Sequence, residues 1–249
     1  MSDQYPLSEP QPLQFAGDGS HSPRRTLLAQ AALASACGIV GAFRRATTAC
    51  MFADEDEPTQ SHTSPEQALQ SLYSGNNRFA SGRSEANRDM NRVRAVAREQ
   101  KPFAAFLGCA DSRVPVEIVF DQGFGDLFVT RIAGNVASSE NIGSLEFGTQ
   151  ILGAKVLYVL GHTDCGAVNA TLKGADVPGQ ISGLFQHIRP AVKAANGDLR
   201  KAIEENVRNQ ANLLAEASTV IARMVQRREL IVAGGIYDLT TGIVSPVEL

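Results

Sequence analysis

From about residue 100 onward, short apolar runs alternate with longer amphipathic stretches. The runs at 103–107, 127–130, 156–160 and 230–233 have strand length and are apolar throughout rather than alternating, as strands covered on both faces are. Between 199 and 228, Ile203, Val207, Leu214, Ile221 and Met224 recur at helical spacing, which predicts one long amphipathic helix. Strands interleaved with helices imply an α/β fold, a mostly parallel β-sheet flanked by helices. An earlier helix should begin at Ser64-Pro65-Glu66-Gln67, with serine as N-cap, proline in the first helical position and glutamine placed for a capping box. Leu69, Leu72 and Tyr73 form its apolar stripe.

The pattern divides the chain in two. Residues 1–63 form an N-terminal targeting or anchor segment ending in an acidic linker, and 64–249 form the folded domain. Residues 1–23 are rich in Pro, Gly, Ser and Gln, a composition that does not support a packed core. Arg24-Arg25 then precedes a stretch from Leu27 to Phe43 without a charged residue. Paired arginines before such a stretch resemble a twin-arginine export signal, although Pro23 departs from the usual pattern. The expectation is export to the periplasm or an equivalent extracytoplasmic compartment, with a cytoplasmic protein as the alternative. The apolar stretch is marginal for a membrane span, which wants about 20 residues. Cleavage of the signal and membrane anchoring through the N-terminal segment both stay open. Asp54-Glu55-Asp56-Glu57-Pro58 supplies the linker.

Composition narrows the function classes. With 249 residues, 43% of them hydrophobic, one sizeable core is the expectation. Lys plus Arg number 23 against 26 Asp plus Glu, and no dense basic run interrupts the domain, so nucleic acid is not an expected partner. Of the four cysteines, Cys37 and Cys50 fall in the N-terminal segment and Cys109 and Cys165 in the domain, which is not the distribution of a disulfide framework.

Two strand candidates run into clusters of reactive residues. Phe106-Leu107-Gly108 leads into Cys109-Ala110-Asp111-Ser112-Arg113, and Val159-Leu160-Gly161 leads into His162-Thr163-Asp164-Cys165-Gly166. The carboxyl edge of an open α/β sheet is where ligands bind, so the two clusters can converge. Two thiolates and an imidazole are a tetrahedral zinc set with one position left for water, the arrangement of a catalytic site. The His162-x-x-Cys165 spacing lets one turn aim both side chains at one metal, and Gly161 and Gly166 permit a tight backbone there. Asp111 lies two residues from Cys109 and from Arg113, on one side of an extended segment, so Arg113 can pair with it in a bidentate fork. Taken singly, a cysteine after a strand is commonly a small buried hydrophobe and an Asp-x-Arg a surface ion pair. Their joint placement beside glycines at two strand ends is hard to obtain by chance.

Cys109-Ala110-Asp111-Ser112-Arg113 together with His162-x-x-Cys165-Gly166 resembles the paired signature of the β-class carbonic anhydrases, and the likeness extends over residues 64–249. Gly75-Asn76-Asn77-Arg78-Phe79 and Arg131-Ile132-Ala133-Gly134-Asn135 add to it. The resemblance implies reversible hydration of carbon dioxide to bicarbonate and a proton, one Zn2+ per chain, N-terminal helices packing on a partner subunit, and a homodimer or multiple of dimers. It further implies that Cys109, His162 and Cys165 bind the metal, that Asp111 orients the attacking hydroxide, and that Arg113 keeps Asp111 ionised. Gln100 and the Gly166 backbone N–H would be substrate-binding groups. If the Arg113 pair breaks, Asp111 can become a fourth ligand in a closed state. Some members bind inhibitory bicarbonate through a tryptophan, an arginine and a tyrosine; Arg131 and Tyr237 match two of these, but Phe106 stands in the tryptophan's place, which argues against that route here. Other readings are a carbon disulfide hydrolase on the same fold, an inactive zinc-binding structural homologue, and a Cys109–Cys165 redox pair, which the lack of a C-x-x-C spacing disfavours.

Overall fold

A computed structural model describes residues 64–249. The export-signal candidate, Cys37, Cys50 and the acidic linker lie outside the described residues. The first helix, α1 (Pro65–Ala80), starts where the sequence places it: Ser64 is extended, and its hydroxyl accepts the Gln67 amide at 3.3 Å. A short α2 (Met90–Ala95) follows and buries none of its own residues. Then come β1 (Ala104–Gly108), α3 (Val116–Val119), β2 (Leu127–Arg131), a 3₁₀ turn (Ala133–Asn135) and α4 (Ser139–Glu146), which runs on as a π-turn through Phe147–Ile151. The chain continues through β3 (Val156–His162), α5 (Gly166–Leu172), α6 (Ile181–Ala195), α7 (Leu199–Ala217), α8 (Thr219–Gln226), β4 (Ile231–Tyr237) and β5 (Val244–Val247).

The strands form one sheet in the order β2-β1-β3-β4-β5; all neighbours are parallel except β4 and β5. Both faces are covered over the central β1 and β3, which are buried at every position and so read as apolar runs; β2, at the sheet edge, is only half-buried and ends on exposed Arg131. Ala104, Phe106, Tyr158 and Leu160 point to one face, where they meet Ala68 and Leu72 of α1 and Val116 and Val119 of α3. Ala105, Leu107, Leu157 and Val159 point to the other, against Leu145, Val207, Leu214 and Ile221. No helix among the described residues is long and apolar enough to cross a membrane.

Three features depart from the sequence reading. The long helix breaks at Ser218, whose extended backbone closes α7 while its hydroxyl caps α8 by accepting the Ile221 amide at 3.0 Å. β4 runs on through Gly234-Gly235, because glycine there is a packing requirement and not a strand end. A Cβ on Gly234 would stand 2.7 Å from Val207 Cγ1 of α7. The antiparallel β5 contains Pro246, tolerated because β5 is an edge strand.

Candidate active site

β1 and β3 are adjacent and parallel, with Gly108 level with Leu160, so the residues just past each strand meet at one sheet edge. Cys109 follows β1 directly, His162 is the last residue of β3, and Cys165 caps the N-terminus of α5. One ligand atom from each of the three lies within 4.8 Å of the others, the one such group of three or more among the described residues. The two sulfurs are 4.0 Å apart as free thiols, both buried. Val136, Val168, Ile188 and Ile203 wall the site with apolar surface.

The turn from His162 to Cys165 differs from its sequence reading. Asp164, not a glycine, takes the left-handed conformation, with φ +53°. Gly161 is needed because α7 passes over it: a Cβ would sit 2.6 Å from Val207 Cγ2. A Cβ on Gly166 would meet nothing within 4 Å, so no crowding demands glycine there.

His162 is fully buried, and its Nδ1 lies 2.8 Å from the Thr163 carbonyl oxygen. A carbonyl only accepts, so Nδ1 carries the proton and Nε2 presents a lone pair. That Nε2 has no hydrogen-bond partner. A buried polar nitrogen without a partner is costly, and here it faces two thiols. Two sulfurs and an unpaired imidazole nitrogen fit a thiophilic divalent cation such as zinc. The close Cys165 thiol donates toward Cys109 and holds its pKa well below an ordinary thiol's; burial opposes this, while His162 and the Gly134 amide assist. Burial disfavours protonated His162, but the Cys109 sulfur outweighs it and the net shift is upward.

Asp111 and Arg113 form the fork, in a turn rather than on an extended segment. Arg113 donates from Nε to Oδ1 at 2.9 Å, from Nη2 to Oδ2 at 2.8 Å, and from its amide to Oδ1 at 2.9 Å, while the Val114 amide closes onto the Asp111 carbonyl. Arg113 holds the carboxyl far below the usual carboxylate range against the opposing effect of burial. Asp111 Oδ2 is 3.8 Å from His162 Nε2, so the acid stands at the rim of the three-residue cluster while turned toward its arginine.

Gln100 is exposed and precedes β1, at the strand end opposite the site; β1 alone spans about 16 Å, so Gln100 does not join the cluster of its own chain. Gly166 opens α5, where the first amides of a helix lack internal acceptors. Phe106 lies in the aromatic core against Phe120 and Tyr158. Tyr237 is level with His162 on β4 and packs on Phe79. Arg131 donates from Nε to the Cys109 carbonyl at 2.9 Å and from Nη2 to the Asp111 carbonyl. Sequence reasoning missed this clamp, whose only trace was the Arg131-Ile132-Ala133-Gly134-Asn135 motif.

Comparison with known proteins agrees with this arrangement. The carbonic anhydrase family model matches residues 104–244. A curated Mycobacterium tuberculosis protein named carbonic anhydrase 2 is 35% identical over 190 residues, spanning 73% of this chain and 92% of the relative. Among solved structures, the β-carbonic anhydrase CafA of Aspergillus fumigatus aligns with TM-score 0.59 and 27% identity over 63% of this chain and 80% of its own. The Coccomyxa β-carbonic anhydrase in complex with acetazolamide aligns with TM-score 0.57 and 27% identity over 76% and 87%. The chain therefore belongs to the β-class carbonic anhydrases and catalyses the reversible hydration of carbon dioxide to bicarbonate and a proton.

Proposed function

We propose that Cys109, His162 and Cys165 hold one zinc ion per chain and that carbon dioxide is hydrated beside it, with Asp111 and Arg113 as the orienting pair. The observation that carries this reading is the buried, unpartnered His162 Nε2 beside the two thiols. Zinc bound there would lower the pKa of a coordinated water to about 7 and so supply hydroxide at neutral pH. Asp111, ionised because Arg113 grips both its oxygens, accepts a hydrogen bond from the attacking oxygen and aims it at the carbon. The same grip keeps the carboxylate out of the metal cluster; release by Arg113 would let Asp111 serve as a fourth ligand. The Gly166 amide would donate to a substrate oxygen, a reading supported by its position in the first turn of α5, where amides lack helical acceptors. The His162–Thr163 bond holds the imidazole in one tautomer and one orientation.

The decisive experiment is rapid-mixing carbon dioxide hydration by the zinc-loaded chain, compared with Cys109→Ser and Asp111→Ala. Cys109→Ser should lose both zinc and activity, and Asp111→Ala should keep zinc and lose most of the rate. Full activity in both variants would refute the assignment. Acetazolamide, present in the Coccomyxa structure, should inhibit the wild-type chain.

Gln100 can serve a substrate only across a subunit boundary, which fits a homodimer or multiple of dimers. Exposed apolar Met90, Phe124, Phe147 and Ile151 support such assembly, and light scattering after size exclusion tests it. Export rests on Arg24-Arg25 and the uncharged stretch behind it. A twin-arginine route carries folded proteins, so the metal could be loaded before Cys109 and Cys165 meet an oxidising compartment. Purely cytoplasmic protein with an intact N-terminus, unaffected by Arg24→Lys with Arg25→Lys, would sink that idea.

A further inference from the structure

The Cys109 sulfur has a partner that neither the metal cluster nor the Asp111–Arg113 pair accounts for. The Gly134 amide donates to Cys109 Sγ at 3.4 Å. Gly134 sits in the 3₁₀ turn after β2 with φ +75°, and a Cβ there would stand 2.7 Å from Ile188 Cδ1 and 3.3 Å from Ala167 Cβ. Conformation and crowding therefore both require glycine. Within the turn, the Asn135 amide closes onto the Ile132 carbonyl at 2.9 Å. A second hold on the same peptide comes from α7, 72 residues on: Asn206 Nδ2 donates to the Gly134 carbonyl at 2.8 Å.

Asn206 is itself braced one helical turn later. Gln210 Nε2 donates to Asn206 Oδ1 at 3.2 Å and to the His187 carbonyl at 3.2 Å, while Gln210 Oε1 accepts the Ala137 amide at 2.8 Å. Both amides are almost fully buried. A buried, fully paired amide couple on a core helix is expensive to leave half-made, so the turn has little freedom to rotate. One peptide plane of Gly134 is gripped by Asn206, and the other points its N–H at the sulfur.

We infer that Asn206, braced by Gln210, is a positioning residue for the Cys109 sulfur, acting through the Gly134 backbone. The inference rests on the reading of Cys109 as a metal ligand. An N–H aimed at a thiolate withdraws electron density from it and fixes its direction, so the network sets both how strongly and at what angle that sulfur can bind a cation.

The test uses the full chain loaded with cobalt(II), read by its thiolate-to-metal charge-transfer absorption, and zinc affinity measured by competition with a chelator. Asn206→Ala should move the band to longer wavelength, because a sulfur relieved of its N–H is a better electron donor, and should weaken zinc about 10-fold. Leu214→Ala, equally buried on α7 but remote from Gly134, should lower the melting temperature and leave band and affinity at wild-type values. An unmoved band and affinity in Asn206→Ala, or equal changes in Leu214→Ala, would overturn the inference. If Asn206→Ala does not fold, Gln210→Met removes the brace with little change of volume and is read by the same criteria. A wild-type chain without any thiolate band overturns the metal reading itself, and this inference with it.

Discussion

Arg131 joins the carbonyls of Cys109 and Asp111 with one guanidinium, so a single side chain fixes the segment between the first metal-ligand candidate and the acid of the orienting pair. A rigid planar fork presents two separate nitrogens to the two carbonyls, a geometry that lysine's compact single ammonium does not reproduce. Arg131→Ala should therefore lower kcat/KM for carbon dioxide hydration about 10-fold to 100-fold, and Arg131→Lys should recover little of it. Stopped-flow rates measured alongside zinc content will separate this from metal loss, since all three ligand candidates remain. Cys109, His162, Cys165, Asp111 and Arg113 were legible in the sequence because each cluster is local, a few residues after an apolar run. Asn206, Gln210 and the partners of Arg131 were not. Their function depends on which carbonyl or amide a distant strand or helix delivers, and a buried amide in an amphipathic helix carries no local mark of what it will meet.

At the scale of elements, apolar runs marked all four parallel strands, most clearly β1 and β3, which are buried at every position and so apolar throughout. The periodicity of residues 199–228 hid the break at Ser218, since α7 and α8 keep their apolar faces on one side of the sheet. The serine alone signals it, by capping the Ile221 amide and donating to Glu146 Oε1 at 2.6 Å. Ser218→Ala removes both bonds and should cost about 1 kcal/mol in chemical denaturation with activity unchanged. Gly161 makes a different demand, at the crossing of α7 and β3. Gly161→Ala drives a methyl into Val207 and should destabilise by about 1–3 kcal/mol. Because His162 follows directly, zinc affinity should fall with stability in that variant and hold in Ser218→Ala.

One buried carboxylate, outside the three-residue cluster, ties the opening segments of the domain to the end of α3. Asp121 is inaccessible and receives Arg78 Nε at 2.7 Å, Arg88 Nη2 at 3.3 Å, and the amides of Glu85 and Ala86, so it joins α1, the strap leading to α2 and the end of α3. Its φ of +48° adds a conformation that Asn tolerates and most residues resist. Burial alone would raise its pKa, but the two amides and Arg78 outweigh that and hold the carboxyl below its ordinary value. A carboxyl depressed on folding contributes stability that is complete above its unfolded pKa of about 3.9 and is lost as pH falls through the lower, folded value. Asp121→Asn keeps the backbone conformation and the volume but loses the charge. It should cost about 2 kcal/mol at neutral pH, because two arginines lose charged hydrogen bonds without being wholly buried. The difference between wild type and Asp121→Asn in denaturation midpoint should shrink as pH is lowered below about 4, since the unfolded chain's Asp121 then binds a proton that the folded carboxylate, held at a lower pKa, does not. A gap that stays constant down to pH 2 would mean that Asp121 acts through its shape and not its charge.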